Sequence, residues 1–436
     1  MKKVLFFLLY CALLILPLEA EISMKEAVQK GIEINAVYQN HLLESRSIEL
    51  AKKTALLKKR FNVDSGGAYL FKSQQMEIVL PDMNPAPGVV IPGAGMLAGA
   101  KHNYDLKLSL SQPLYTGGIL SSAVKLETVR LAVEKNRTRL SQIEIAAEIK
   151  TSYFNYRLLQ NRLVSLDSLL KQLSLHQERL QNYFREELIK KSDLLETEAR
   201  IQEQLLNRRD LLNLIEKEKI NFKTLCGFDI SEVEKNYSEK ENAFTRVFAE
   251  FKAAHPVLKT LAEQTKGLKI RETMIKGEYM PRVGSFAEIH YGKPGIDFFK
   301  NEWSLYFQGG FSISFKIFDW GRLKRQVQIV RYGAEKLENE QADFIKMAEK
   351  RFRQLYAAKK SAEEKLETVK KLLQIAAEDI DLKKELLDEQ QIANIDYLGA
   401  LTRREGYLSR QNTIRAQLEL IKVNITRLTG LFEEAK

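Results

Sequence analysis

Histidine, cysteine and closely spaced carboxylates are the side chains with which this 436-residue chain could bind a metal or attack a substrate. The histidines form no pair at metal-ligand spacing and have no cysteine nearby; they are His41, His102, His176, His255 and His290. The segment GKPG, residues 292–295, lacks the spacing and the Lys-Ser/Thr end of a phosphate-binding loop. No nucleophile elbow is recognisable. The sequence therefore predicts no enzyme, no cofactor and no metal site.

Two aspartates at predicted helix starts are the acidic residues to which a functional role can be assigned. Asp193 follows Ser192 and precedes Glu196 by three residues, which is a helix-capping pattern. Asp396, preceded by Asn394, has the same setting 203 residues later. Capping is the simplest interpretation of both aspartates. A second interpretation depends on the elements that position them.

Those elements occur twice in the chain. LSLSQPLYTGGIL, residues 108–120, and FSISFKIFDWGRL, residues 311–323, each alternate apolar and polar residues and reach a glycine before a helical pattern. An offset of 203 aligns the two halves without a gap over residues 106–228, pairing Gly118 with Gly321, Tyr153 with Tyr356, Asp193 with Asp396 and Gly227 with Gly430. The sequence therefore predicts an internal duplication, with repeats at residues 21–228 and 229–436.

The upstream parts of the repeats align at an offset of 220, so the first repeat holds 17 additional residues. They fall in residues 79–100, whose proline and glycine content predicts a loop. Each repeat is therefore expected to contain helix, strand, loop, strand, long helix, turn and helix. In the first repeat a single short helix is expected over residues 24–60.

The predicted strands have one apolar and one polar face. Residues 104–110 and 303–317 alternate clearly, whereas the partner strands, residues 61–72 and 282–292, alternate less cleanly. A soluble sandwich would also alternate, but four strands of this length in an exported chain suit a transmembrane barrel. Four strands cannot close on themselves, because the smallest such barrels have about eight. Copies of the chain are therefore expected to share one barrel.

Helices account for most of the sequence. No proline or glycine interrupts residues 119 to about 185, which as a helix would span on the order of 100 Å. Apolar residues at three- and four-residue spacing along residues 159–184 predict a coiled-coil seam. A return helix of about half that length is predicted for residues 193–225.

Residues 1–20 have the pattern of a secretory signal peptide, since Lys2 and Lys3 precede an apolar run that Pro17 breaks. Its removal leaves Cys226 as the only cysteine, which excludes an intramolecular disulfide and suits a small buried residue. No later stretch is apolar enough for a membrane-spanning helix, so a membrane crossing would require β-strands. The formal net charge is +11, but the basic residues are interleaved with acidic ones along the chain. This pattern favours solvated helix faces over nucleic-acid binding.

A duplicated unit of helix, strands, long helix and return helix behind a signal peptide resembles the TolC family of outer membrane efflux proteins. SQPLYTGGIL and FKIFDWGRL are similar to the family's strand-to-helix junctions, and YMPRVG is similar to its helix-to-strand entry. SDLLETEA and IDYLGALT are similar to the turns of its helical hairpins, and LCG and LTG to its helix ends. The resemblance covers nearly all of the mature chain and depends on the ordered set of motifs.

This resemblance implies a fold that is mainly α with transmembrane β, built from long coiled-coil helical hairpins and four strands per chain. A homotrimer is expected to form a twelve-stranded β-barrel in the lipid of the outer membrane and an α-barrel in the periplasm. The implied function is the exit duct of a tripartite efflux or type I secretion system. Its partners would be a periplasmic adaptor and an inner-membrane pump or ABC transporter, and no nucleic acid is expected.

The family pattern also assigns roles to single residues. The aspartate that matches Asp396 lines the periplasmic entrance, so three copies would form a cation-favouring ring. Asp193 and Ser192, at the other turn, are further candidates for the entrance. The residues that match the strand-to-helix junctions are Pro113, Gly117, Gly118, Asp319 and Gly321.

The chain departs from the family pattern close to these turns. A second acid expected one turn after Asp396 is Gly399, and the turn glycine is Glu187 in one repeat and Gln390 in the other. The alternative to a channel is a soluble periplasmic coiled-coil scaffold or adaptor without a pore. Adaptors also contain helical hairpins, but their β parts are small soluble domains and their halves do not repeat.

Overall fold

The computed structural model of the chain describes residues 21–239, 244–389 and 391–430. The helices are α1 (Met24–Ile34), α2 (Ala36–Leu57), α3 (Ile119–Arg185), α4 (Lys191–Cys226), α5 (Phe244–Ala254), α6 (Pro256–Lys276), α7 (Arg322–Asp388) and α8 (Asn394–Thr429). The strands are β1 (Asn62–Phe71), β2 (Met76–Val79), β3 (Met83–Ala86), β4 (Val89–Ile91), β5 (Gly95–Ala98), β6 (His102–Thr116), β7 (Arg282–Lys293) and β8 (Ser304–Ser314). The predicted signal peptide, residues 1–20, and Gln390 lie outside the described residues.

α3 has the bounds that the uninterrupted sequence predicts. α3 and α7 each contain 67 residues, and α4 and α8 each contain 36. Each boundary of α7 and α8 lies 203 residues after its counterpart in α3 and α4, which is the offset at which the sequence aligns with itself. The helix lengths thus support the predicted duplication.

Glycine ends both return helices, at the LCG and LTG motifs. Gly227, which follows α4, has a φ of 83°, and its N–H donates to the carbonyl of Lys223 at 2.8 Å. Gly430, which follows α8, has a φ of 68°, and its N–H donates to the carbonyl of Arg427 at 3.2 Å. A glycine adopts this left-handed conformation without the steric cost of a Cβ atom.

The single helix expected over residues 24–60 is divided in the structure, so that prediction was wrong. Asn35 is extended, and its side-chain oxygen accepts the N–H of Val37 at 2.9 Å. The same interruption separates α5 from α6, where Nδ1 of His255 accepts the N–H of Val257 at 3.2 Å. Asn35 and His255 are aligned residues of the two repeats. In both, a polar side chain that bonds the next turn of backbone competes with helix continuation.

One antiparallel sheet contains the four predicted strands, in the order β1-β6-β7-β8. The register places alternate residues of neighbouring strands on the same face, as in the pairs Leu106↔Tyr291 and Ile289↔Phe307. One face is therefore apolar; its side chains include Leu106, Leu108, Leu110, Ile289, Leu305, Phe307, Phe311 and Ile313. The other face is polar; its side chains include Asp105, Lys107, Glu288, His290, Tyr306 and Gln308. The alternation predicted from the sequence is confirmed.

β8 is shorter than the alternating pattern of residues 303–317. The strand ends at Ser314, which pairs with Arg282, the first residue of β7. Beyond Arg282 there is no strand partner for residues 315–317, since β7 begins there. The alternation of apolar and polar residues indicates which face of a sheet each side chain would occupy. A strand also needs a neighbouring strand for its backbone hydrogen bonds, so it can end before the alternation does.

The loop predicted for residues 79–100 is a β-ribbon, so this prediction requires correction. β2 pairs with β5, and β3 pairs with β4, both antiparallel. The prolines that suggested a loop interrupt the ribbon, because proline has no N–H to donate, and they leave two short ladders. Between the prolines, β-branched residues such as Val89 and Ile91 favour extended backbone.

Two compact units make up the described chain. The helical unit comprises the described residues of Met1–Glu44, Glu134–Thr260 and Glu340–Lys436, and the strand unit comprises Ser45–Val133 and Leu261–Asn339. The helical unit has separate apolar clusters, one around Tyr153 and Phe222 and another around Phe251 and Phe352. Cys226 lies in the first cluster, and burial raises the pKa of its thiol to about 12, which confirms its interpretation as a buried, unreactive residue.

No helix in residues 21–239, 244–389 and 391–430 is long and apolar enough to cross a membrane.

Candidate functional site at the turns between the long helices

The turn between α3 and α4 is tight and contains a residue in a glycine-like conformation. Glu187 has a φ of 60°, and it is one of two non-glycine residues with positive φ in the described chain. The N–H of Leu188 donates to the carbonyl of Tyr183 at 2.9 Å and closes the end of α3. The sequence departure at Glu187 therefore falls where the backbone favours glycine, because a Cβ atom is strained at positive φ.

The carboxylate of Asp193 forms a hydrogen bond to the backbone at the start of α4. It is the third residue of the helix, and its carboxylate accepts the N–H of Lys190, the residue before the helix, at 3.3 Å. The helix thus begins two residues earlier than the sequence predicts, and Asp193 bonds backwards to Lys190. The predicted pairing with Glu196 does not form. Ser192 is exposed in the same first turn.

Asp396 occupies the matching third position of α8 but has different contacts. Its N–H donates to the carbonyl of Ala393 at 3.0 Å, as expected in a first helical turn. Within the described part of the chain its exposed carboxylate has no hydrogen bond or ion pair, and Ala393 offers no side-chain cap. A negative charge at a helix N-terminus interacts favourably with the helix dipole.

A buried polar cluster joins the two turns, and the sequence analysis did not find it. Oδ1 of Asn394, the first residue of α8, lies 2.6 Å from Nε2 of His176 on α3. Nδ2 of Asn394 donates to Oγ1 of Thr197 and to the carbonyl of Asp193 on α4, at 3.2 and 3.3 Å. These residues are about 200 positions apart in sequence, and neither periodicity nor the repeat alignment links His176 to Asn394. The cluster places the starts of α4 and α8 side by side.

Burial is the main reason why the pKa of His176 lies below its ordinary value. The side chain is 3 % exposed, and the ring of Tyr397 packs against it with 4.8 Å between ring centres. The hydrogen bond to Asn394 opposes this shift, and Arg179 acts in the same direction as burial. Arg179 in turn forms an ion pair with Asp388 of α7, at 3.6 Å.

The strand-to-helix junctions have the same left-handed backbone in both repeats. Gly117 and Gly118 have φ values of 62° and 80°, and the aligned Trp320 and Gly321 have 56° and 74°. A Cβ atom on Gly117 would lie 2.3 Å from the carbonyl oxygen of Gly277, so only glycine fits there. The shared conformation explains why both repeats place glycine before the long helix.

The other predicted junction residues have distinct positions. Asp319 caps α7, because its carboxylate accepts the N–H groups of Gly321 and Leu323, both at 3.1 Å, and the hydroxyl of Tyr279 at 3.0 Å. Pro113 lies inside β6 at an irregularity in its pairing with β7, and not at the start of the helix. A proline is tolerated there because a bulge needs no ladder hydrogen bond.

The apolar face of the sheet is exposed to an extent that is unusual for a soluble protein. Leu305 and Phe311 are 71 % and 75 % exposed. At one end of this face, Trp303 contacts the rings of Tyr291 and Tyr104, with centroid separations of 5.0 and 5.8 Å. A contiguous apolar surface of this kind indicates contact with lipid or with another protein.

Residues 21–239, 244–389 and 391–430 contain no group of three or more His, Cys, Asp or Glu side chains arranged to hold a metal ion.

Comparison with known proteins identifies solved structures of the same fold. No family model matches the chain, and no curated protein matches it in sequence. The outer membrane protein VceC of Vibrio cholerae superimposes with a TM-score of 0.73 at 11 % identity, over 93 % of this chain and 96 % of VceC. The Campylobacter jejuni CmeC outer membrane channel gives 0.73 at 13 % identity, over 93 % and 85 % of the two chains. The Neisseria gonorrhoeae MtrE outer membrane channel gives 0.72 at 13 % identity, over 93 % and 88 %.

Proposed function

We propose that this chain is a member of the TolC family and one subunit of a trimeric outer membrane channel, which acts as a passive exit duct from the periplasm. The observation that carries the proposal is the fold itself, shared with outer membrane channels over 93 % of the chain. The predicted resemblance is confirmed at the level of the fold. At 11 % and 13 % identity the likeness shows the fold alone, so the function is inferred from the surface and the edges of the sheet.

The sheet has the dimensions and the surface of a membrane-embedded segment. Its four strands contain 10 to 15 residues, and a tilted strand needs about 9–11 to cross the hydrocarbon of a bilayer. The exposed Leu305 and Phe311 would face lipid, and the aromatic group around Trp303 would lie at a membrane–water interface. An aqueous environment would leave this apolar face unfavourably hydrated.

The edges of the sheet support association of several chains. β1 and β8 are the outer strands, so each has one side without a partner in the sheet. An unpaired strand edge is unfavourable in lipid, where no water satisfies its N–H and C=O groups. We propose that β8 of one copy pairs with β1 of the next, so that three copies close a barrel of twelve strands.

The helical hairpins would then form the periplasmic part of the channel. In this arrangement the turns at residues 186–190 and 389–393 would face the periplasm, where a periplasmic adaptor and an inner-membrane pump or ABC transporter would dock. Residues 1–20 would direct export, and residues 21–228 and 229–436 would be the two repeats of the duplication. We assign no catalytic activity to the chain.

The exposed carboxylate of Asp396 is our candidate for the entrance. Threefold symmetry would place three copies around one axis, where like charges repel one another and attract cations. In the described chain the carboxylate of Asp396 is exposed and has no hydrogen bond or ion pair, whereas that of Asp193 accepts the N–H of Lys190. Asp396 is therefore the better candidate for this role. Ser192 and Asp193 would lie at the neighbouring turn.

Fractionation of the membranes tests the proposal. The protein is expected in the outer membrane as a trimer that dissociates on heating. Phe311→Arg, on the apolar face, should reduce the yield of the trimer, because a cation facing lipid costs about 2–4 kcal/mol near the bilayer centre. Ser312→Arg, one residue away on the polar face, is the matched control and should assemble.

Recovery of the protein in the soluble periplasmic fraction, with both variants unaffected, would instead favour a coiled-coil scaffold or adaptor without a pore.

A further inference from the structure

A buried hydrogen bond links the start of α8 to α3. Nε2 of His176 and Oδ1 of Asn394 lie 2.6 Å apart, and the two side chains are 3 % and 5 % exposed. The ring of Tyr397 packs against His176 and belongs to an apolar cluster that includes Leu173 of α3 and Leu398 and Leu401 of α8. Water therefore has little access to the contact.

The protonation state of His176 follows from the contacts of Asn394. Nδ2 of Asn394 donates to Thr197 and to the carbonyl of Asp193, and Oε2 of Glu196 lies 3.4 Å away. Since the amide hydrogens point toward α4, the oxygen of the amide faces the imidazole and can only accept. His176 must therefore donate from Nε2, which leaves Nδ1 unprotonated in the neutral ring.

Nδ1 of His176 is buried and has no hydrogen-bond partner in the described chain. A second proton on this nitrogen would create a buried positive charge whose N–H has no acceptor, which is unfavourable. The low pKa of His176, caused mainly by burial, agrees with this geometry. Protonation of His176 is thus unfavourable while its ring stays buried beside Asn394.

We propose that the His176–Asn394 contact is an acid-sensitive latch, which holds the first turn of α8 in place while His176 is neutral and releases it when His176 binds a second proton. The proposal rests on the proposed function, because the released turn carries Asp396, two residues after Asn394. Proton uptake would thereby move the candidate entrance residue.

The charged groups around the latch come from four helices and do not supply an acceptor for Nδ1. They are Arg179 on α3, Asp193 and Glu196 on α4, Asp381 and Asp388 on α7, and the hydroxyl of Tyr397 on α8. Arg179 lowers the pKa of His176, and Asp388, which pairs with Arg179, raises it. Burial has the largest effect, so the net shift is downward.

The direction of the pH effect follows from this shift. The latched state binds fewer protons than the released state, in which a hydrated His176 has a pKa of about 6.5. Latching is therefore fully favourable above pH ~6.5 and weakens as the pH falls. Each further pH unit raises the ratio of released to latched chains up to about tenfold, until the latched ring itself is protonated.

Distance measurement between two spin labels tests the latch. Ser192→Cys and Ile395→Cys are exposed positions in the first turns of α4 and α8, and buried Cys226 stays unlabelled. Labelled chains are diluted into unlabelled ones, so that each pair reports on one chain. A single short distance is expected at pH 7.5, and a second, longer population should grow up to about tenfold per unit as the pH falls from 6.5 to 5.5.

Three variants make the test specific. His176→Gln keeps an amide donor toward Asn394 but cannot bind a proton, so the short distance should persist at both pH values. Asn394→Leu removes the latch, and the longer distance should appear already at pH 7.5. His102→Gln changes an exposed histidine of β6 and should retain the pH response.

The latch would be overturned by a wild-type distance that does not change between pH 7.5 and 5.5, or by a His176→Gln variant that responds like the wild type. If Asn394→Leu fails to fold, the comparison of His176→Gln with His102→Gln still shows whether the pH response depends on His176. The labels report helix movement in purified protein, independently of any pore. If the distance responds to pH but the protein is not found in the outer membrane, only the proposed function is contradicted. If the protein is a trimer in the outer membrane but the distance does not respond to pH, only the latch is contradicted.

Discussion

At the scale of single residues, the two aligned aspartates show how a repeat can keep a residue and change its contacts. Asp193 bonds the N–H of Lys190, whereas the carboxylate of Asp396 is exposed and has no partner in the described chain. Both lie in the first turn of a helix, where a negative charge is favourable. Aligned positions of the two repeats therefore have different contacts.

Paired substitutions separate these roles. Asp193→Asn should lower the free energy of unfolding by about 1 kcal/mol, because it weakens a capping hydrogen bond. Asp396→Asn should change stability less and should reduce cation preference and divalent block in single-channel recordings. If Asp396→Asn leaves conductance, selectivity and block unchanged and lowers stability as Asp193→Asn does, Asp396 is only a helix cap.

The strained turn gives a second prediction. Glu187→Gly should raise the free energy of unfolding by about 0.5–1 kcal/mol, because relief of the positive φ outweighs the additional entropy of glycine in the unfolded chain. Glu187→Ala is the control, since alanine retains the strain and should not stabilise. Denaturant titration of both variants measures the difference, and equal effects of Gly and Ala would contradict the role of backbone strain.

At the scale of secondary structure, local patterns predicted most elements and missed those set by long-range contacts. The lack of proline and glycine fixed the length of α3, and alternation identified the faces of β6 and β8. The break at Asn35 depends on one side chain that bonds backbone two residues away. The partner of His176 lies 218 positions away and could be found only in three dimensions.

The ribbon between β1 and β6 is expected to be dispensable for folding. Val79 and Gly95 are paired in its inner ladder, so Asn-Gly can replace residues 80–94 as a two-residue hairpin turn. Loops and surface ribbons tolerate such changes at low cost, so trimer yield and heat stability should remain those of the wild type. Replacement of residues 294–302 with the same turn continues the register of the pair Gly292↔Ser304, keeps Trp303, shortens the second repeat and serves as comparison.

Loss of the trimer on deletion of residues 80–94 would show that the ribbon takes part in assembly, contrary to the expectation that it is dispensable.

At the scale of the whole molecule, the proposed association of several copies of the chain depends on the sheet. Light scattering of detergent-extracted protein should give a protein mass of three chains, because the edges β1 and β8 need partners. Dilution of the extracted protein should leave this mass unchanged if the strand edges are paired. A compact monomer at all concentrations would contradict the shared barrel.

The equal lengths of the paired helices have a consequence for symmetry. Three chains with two matched hairpins each would present six turns of similar length, so that a threefold assembly has an approximately sixfold end. The six turns would still differ in their side chains. Alternate turns would carry either Asp193, whose carboxylate is hydrogen-bonded to the N–H of Lys190, or the exposed carboxylate of Asp396. A partner that recognises helix geometry would find six equivalent positions, whereas one that recognises charge would find three.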